Sequence, residues 1–424
     1  MDSPLIIARA ALKFSILLFA ICATACSGGG GSSLGIPPND VKSRVGPSAT
    51  PAPAASGAAP TPAPSGGVPT PAATATPTPS APGPGPSAYD APAGTVPYFP
   101  TSPFLQTTSS PTVNPNSAAW VAHLGTFSIN SLNASNSASL KTDHGMPIYL
   151  NHAGANIPVK IHCTATNNNT PCNDEGMTIY IDRREVAQND DAPNQDDHME
   201  FIDRASGYAY DLWQVTWPPS HGILNASWSG RCLLSGNGFS NPSYSGPSWN
   251  SGCDSTASGT PISMGAIRAK DLLAAVQSGG TLPEAIQVAV PCAGPGPLPS
   301  PFLGSGDGKC RGYAPEGSHL YLAMHDSDVN ALGVAPIVGV ILRTLDEDHY
   351  GAYIVSVDST PTGLQLQTEM DSTYTVWGKP GPWWTQFVPE AQNEGLPGAN
   401  SPYQNRYQIQ LPIPSSVAQA VRFS

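Results

Sequence analysis

Between residues 37 and 92 the chain carries 16 prolines, set among alanine, threonine, serine and glycine. Such a segment joins no β-ladder and continues no helix, because proline lacks a backbone donor and holds φ near about −65°. It also offers almost no large apolar side chain, so nothing offsets the entropy of ordering it. The segment is therefore expected to be an extended, disordered spacer. At about 3 Å per residue it would reach on the order of 200 Å. With 47 Pro and 42 Gly in 424 residues, any hydrophobic core has to lie outside this stretch.

What precedes the spacer reads as an export signal. Arg9 and Lys13 stand before the apolar run Phe14 to Ile21, which is too short to cross roughly 30 Å of hydrocarbon as a helix. Ala23, Thr24 and Ala25 then lead to Cys26. The ending resembles the lipobox of bacterial lipoproteins, with Ala23 in place of the usual Leu. It implies cleavage after residue 25, lipidation of Cys26 and attachment to a membrane. Ser27 resembles the outer-membrane sorting case. The expected organisation is a lipoprotein signal peptide over 1–25, a lipidated cysteine and stalk over 26–95, and a β-rich globular domain over 96–424, in the bacterial cell envelope.

From residue 116 onward the chain holds 14 basic and 27 acidic residues. An acidic domain excludes a basic nucleic-acid footprint, and nucleic acid is not an expected partner. Short β-branched or aromatic runs bounded by turn residues read as strands: 177–182, 199–203, 208–215, 320–324, 353–357 and 407–411. Three helices interrupt them. One follows Asn116, with Trp120 and Leu124 four apart. One covers 270–278 and stops at Gly279 and Gly280. One begins at Pro336 and lines up Ile337, Val340, Ile341 and Leu345. This pattern predicts a mainly β fold, an antiparallel β-sandwich or jelly roll with two or three short helices.

Eight cysteines are present. With Cys22 in the signal and Cys26 as the anchor, six remain, and their spacing favours nearest-neighbour disulfides: Cys163–Cys172, Cys232–Cys253 and Cys292–Cys310. Nucleotide loops and HExxH are absent, and no GxSxG stands at a strand-to-helix elbow, since the literal match from Gly31 to Gly35 lies in the Gly/Ser-rich start of the spacer. Asp326, Asp328 and Asn330 begin a DxDxN run, but Ala331 and Ile337 stand where a calcium-binding EF-hand loop needs Gly and Glu, so the run reads as a solvated acidic loop. The run 189–198, with Asp190, Asp191, Asp196 and Asp197, is the better calcium loop. Calcium is the one cofactor this sequence suggests, and an exposed acidic loop is the competing reading of 189–198.

The stretch 197–215 reads as a hairpin around Arg204 to Gly207. With Asp203 opposite Tyr208, one face collects Met199, Phe201, Tyr208, Tyr210 and Leu212 for a core. The other collects His198, Glu200, Asp211 and Trp213. A histidine, two carboxylates and an indole on one sheet face suit sugar recognition or hydrolysis, with His198, Glu200 and Asp211 catalytic and Trp213 stacking on the sugar. The competing expectation is a solvated outer face.

Four segments resemble a family of exported bacterial proteins of unassigned function. They are the hairpin residues Asp197, His198, Ile202, Asp203, Tyr210, Asp211, Leu212 and Trp213; GCDSTASGTPI from Gly252 to Ile262; the helix–strand segment Arg268 to Val290; and YGAYIV from Tyr350 to Val355. The resemblance spans about Val96 to Asp358 and carries no activity with it. It adds Asp254 and Arg268 to the substrate-binding set. Asp211 stands where the family usually has Glu, and Gln287 near a usual His. The functions in contention are a surface carbohydrate-active domain acting on polysaccharide as a glycoside hydrolase or lyase, a non-catalytic glycan-binding or adhesion domain on a stalk, and a structural envelope protein.

Overall fold

In the computed structural model the residues described are 93–94, 96, 98–124, 132–135, 145–150, 157–167, 170–188, 196–239, 256–295, 298–303, 308–357, 363–375, 377–401 and 406–424. The expected signal peptide, Cys26 and nearly all of the stalk lie outside them, as do Cys253, Asp254, Asp190 and Asp191. The described residues belong to one compact unit.

Along the chain the first strands are β1 (Leu132–Ser135), β2 (Ile148–Leu150), β3 (Ile157–Cys163), β4 (Thr166–Asn167), β5 (Thr170–Pro171) and β6 (Thr178–Ile181). Next come β7 (Met199–Asp203), β8 (Tyr208–Trp213), β9 (Thr216–Ser220), β10 (Ile223–Ala226), β11 (Trp228–Leu233) and β12 (Ile286–Val290). The last are β13 (His319–Leu322), β14 (Ala352–Val357), β15 (Gln365–Leu366), β16 (Arg406–Ile409) and β17 (Val421–Phe423). The helices are α1 (Ser117–His123), α2 (Ala269–Ser278), α3 (Asp326–Ala331), α4 (Pro336–Leu345), α5 (Ser372–Thr375) and α6 (Val388–Asn393). The mainly β fold with short helices is as the sequence indicates.

Three larger sheets stack with a helical layer. Sheet β6-β3-β10-β9 faces sheet β11-β8-β7-β2, and Val159, Ile161, Ile179, Ile181 and Leu224 meet Tyr149, Met199, Phe201, Tyr210 and Leu212 between them. These two make the sandwich. The second sheet turns its other face, with Ile148, Ile202, Ala209 and Cys232, onto Phe104, Ile262, Met264, Tyr353 and Val355. The last two belong to β14, in the third sheet, β15-β12-β14-β13-β17. The far side of that sheet is closed by α2 and α4, where Leu272, Ile337 and Ile341 pack on Val288, Leu320 and Ile354.

Pairing is mixed and not purely antiparallel. β2–β7, β3–β10 and β12–β14 run parallel. In each pair long connections separate the partners, α3 and α4 lying between β12 and β14, and only such crossovers bring strands into parallel register. Strand β3 alternates buried and exposed, whereas β12 and β13 are buried at every position. The third sheet is covered on both faces, as sheets carrying parallel strands usually are.

Local chemistry fixes the ends of these elements. Helix α2 stops because Gly279 takes φ 66°, and Gly280 N–H returns to Ala275 O at 3.0 Å. Helix α4 starts on Pro336. Asn116 caps nothing with its side chain; instead Asn114 Oδ1 accepts from Asn116 N–H at 2.9 Å. Asp326 to Asn330 form helix α3 and not an extended acidic loop. Segments far apart in the chain also join, through one side-chain and one backbone acceptor. Phe423 N–H donates to Ser117 Oγ at 2.9 Å and Asn114 N–H to Phe423 O at 2.8 Å. Disulfides Cys163–Cys172 and Cys292–Cys310 are formed, with Cα separations of 5.8 and 6.0 Å. Cys232 is disulfide-bonded, and its expected partner Cys253 lies outside the described residues.

Candidate functional site

The hairpin takes the register its sequence dictates. Asp203 Oδ1 accepts from Ala205 and Ser206 N–H at 2.9 and 3.3 Å, and Gly207 closes the turn at φ 79°. Asp203 then pairs with Tyr208, Phe201 with Tyr210, and Glu200 with Asp211. The polar face is not a wet outer surface. Glu200 is 0% and Asp211 1% exposed, because the segment 261–268 and the third sheet cover that side. A sheet strand cannot reveal from its own period whether a second layer will cover its polar face, and this one is covered.

Ser263 holds the glutamate. Its N–H and Oγ donate to the two oxygens of Glu200 at 2.6 and 2.7 Å. Burial, with the facing Asp211, pushes the Glu200 carboxyl well above the usual carboxylate range. Ser263 O in turn accepts from Tyr98 Oη at 3.2 Å, and Tyr98 senses both Glu200 and Arg268. Glu200, Ser263 and Tyr98 thus form one buried chain of polar contacts, with Arg268 near enough to act on Tyr98 through its charge.

Arg268 is the cation among these buried groups. It pairs with Asp271 at 2.5 Å and draws down the carboxyls of Glu284 and Glu369. Burial outweighs that attraction and raises Glu284 and Glu369 to about 8. Asp271 is raised by burial as well. Glu369 accepts from Ala269 N–H at 2.9 Å and from Tyr374 Oη at 3.0 Å. Sequence reasoning missed Tyr98, Glu284 and Glu369. Nothing in their local patterns marks them, since they meet Arg268 only through long-range packing.

His198 and Trp213 flank the ladder beyond its paired acids. His198 is buried, and burial lowers its imidazole below the ordinary value. Trp213 is partly exposed, and its Nε1–H lies 3.4 Å from Asp196 Oδ1. The structure thus pairs Glu200 with Asp211, pairs Arg268 with Asp271, and leaves Trp213 partly exposed. Gln287 donates through Nε2 to Pro261 O at 2.6 Å and packs against the covering segment.

A second feature is open to solvent. A groove of about 300 Å³ runs past Trp120, Phe302, His319 and Tyr353, with Asn114 and Ser300 at its walls. His319 Nε2–H donates to Tyr350 O at 3.0 Å, which leaves Nδ1 to accept from Ser424 Oγ at 2.7 Å. Burial lowers the pKa of this imidazole. Its ring lies 4.8 Å from that of Tyr353. Gly351, at φ 69°, leaves room for the imidazole where a Cβ would collide with Nε2. The volume falls at the lower end of small-ligand sites, about 300–1,000 Å³. The sequence marks Trp120 and Tyr353 only as members of a helix and a strand. No protein family, curated protein or solved structure matches this chain.

Proposed function

We propose that the chain is a lipid-anchored protein of the bacterial cell envelope whose β-rich domain binds glycan without cleaving it. The anchor rests on the sequence around Cys26, and the spacer of prolines sets the domain away from the membrane. The observation that carries the non-catalytic reading is the burial of Glu200, whose two oxygens are occupied by Ser263. An acid or nucleophile has to reach the glycosidic oxygen or carbon, and these carboxyls face protein. The open groove instead offers aromatic rings, Trp120 and Tyr353, beside polar groups of Asn114 and Ser300. Apolar platforms with a few convergent polar groups suit a pyranose ring.

The glycoside hydrolase or lyase reading retains one supporting observation. Glu200 and Asp211 are opposed and Glu200 has a raised pKa, as a general acid requires. A glycan array and a reducing-sugar assay on the detergent-solubilised full chain separate the two. Binding that Trp120→Ala weakens, with no sugar released, supports the binder. Sugar release that Glu200→Gln abolishes overturns it.

A further inference from the structure

The turn between α4 and β14 brings Asp346 and His349 up to Asp326, the first residue of α3. One ligand atom from each of the three lies within 4.8 Å of the other two. Asp326 Oδ1 and His349 Nε2 are 3.3 Å apart. On a tetrahedral ion with bonds of about 2.0 Å, neighbouring ligand atoms stand about 3.3 Å apart. That edge already has the required length.

Asp346 supplies the independent observation. It is 0% exposed. Its Oδ1 accepts from Asp348 N–H at 3.0 Å, while its Oδ2 meets no N–H or O–H donor of the fold and the side chain lies against the like-charged Asp326 carboxylate. A buried carboxylate oxygen without a donor is costly unless a cation meets it. Asp326 is exposed and His349 partly so, which leaves an entry from solvent. The scaffold is fixed on both sides, because Asp346 bridges to Leu322 and His349 O accepts from Thr108 N–H at 2.7 Å. The neighbouring groups are committed elsewhere. Asp328 accepts from His325 N–H at 3.0 Å, and the His325 ring pairs with Asp348 and Glu347.

We propose that Asp326, Asp346 and His349 form a binding site for a single zinc-class divalent cation. The imidazole selects for such an ion over Ca²⁺ and Mg²⁺, which favour all-oxygen sets, and three protein ligands leave a further position for water. The site is separate from the glycan reading and stands or falls without it.

The test is calorimetric titration of ZnCl₂ and, separately, CaCl₂ into the untagged full chain after EDTA treatment and dialysis. The expected result is one Zn²⁺ per chain, Ca²⁺ weaker by at least about tenfold, and Asp346→Asn and His349→Gln each weakening Zn²⁺ by about tenfold or more. His162→Gln, at the exposed His162–Glu175 pair, leaves the affinity unchanged. Zn²⁺ binding that survives both ligand substitutions, a preference for Ca²⁺, or no stoichiometric binding overturns the proposal. Should Asp346→Asn fail to fold, His349→Gln, on a partly exposed side chain, decides alone.

Discussion

Glu200 and Asp211 stand opposite one another across the β7–β8 ladder, and neither side chain reaches water. Two carboxylates so placed cannot both ionise without penalty, and burial together with the facing Asp211 holds the Glu200 carboxyl well above the usual range. Glu200→Gln keeps an acceptor for Ser263 N–H and removes the like charge. It is expected to raise stability by about 1 kcal/mol at pH 8, measured by urea denaturation. Ser263→Ala, which strips a donor from a buried carboxyl, is expected to lower it by about 1–3 kcal/mol. A destabilised Glu200→Gln would mean that its charge is compensated in the folded state.

The acids around Arg268 predict a particular pH response. Glu284 and Glu369 titrate at about 8 in the folded chain and at about 4.3 when unfolded. Between those values the folded state binds the extra protons, so their stabilisation is present at low pH and is lost as pH rises towards 8. His198 and His319 have lowered pKa values and act oppositely, losing stability as pH falls below about 6.5. The window from pH 6.5 to 8 is therefore governed by the carboxyls. Stability is expected to fall there by about 3 kcal/mol, and Glu369→Gln to flatten the slope. Denaturation midpoints that rise across this window would refute the assignment.

The hairpin shows what the sequence could and could not disclose. Its register was legible because the turn residues Arg204 to Gly207 and the period of two are local properties. The same holds for α2 with Gly279 and α4 with Pro336. The burial of Glu200 and Asp211 was illegible, because Ser263, which holds Glu200, lies 63 positions beyond it. Polar side chains against a second layer have the same alternation as polar side chains against water. The parallel pairs β2–β7 and β3–β10 were hidden for the same reason, since adjacency in space did not follow adjacency in sequence.

Cys292 and Cys310 are 18 positions apart. Removing the bridge with a Cys292→Ala, Cys310→Ala double variant is expected to cost about 3 kcal/mol by the chain-entropy argument. Non-reducing peptide mapping checks the connectivity and should also recover Cys232 joined to Cys253. A cross-pair such as Cys172 with Cys232 would refute the nearest-neighbour pattern.

Gly351→Ala places a Cβ against the His319 ring at a positive φ. The expected loss is about 2 kcal/mol or more, read as a lowered Tm. An unchanged Tm would show that the His319 ring can move aside.

Cys26→Ser removes the proposed lipid attachment. The chain is expected to leave the membrane fraction for the soluble envelope fraction, followed by immunoblot. Undiminished membrane retention would sink the lipoprotein assignment.

The hydrogen bonds tying Phe423 to Ser117 and Asn114 span about 306 positions. A contact of that separation makes folding slow, since the intervening chain has to be gathered before the bond can form. β17 also completes an edge of the third sheet by pairing with β13. Strand β17 is therefore a late-arriving keystone: until it docks, α1 lacks the partner of Ser117 and β13 keeps an open edge.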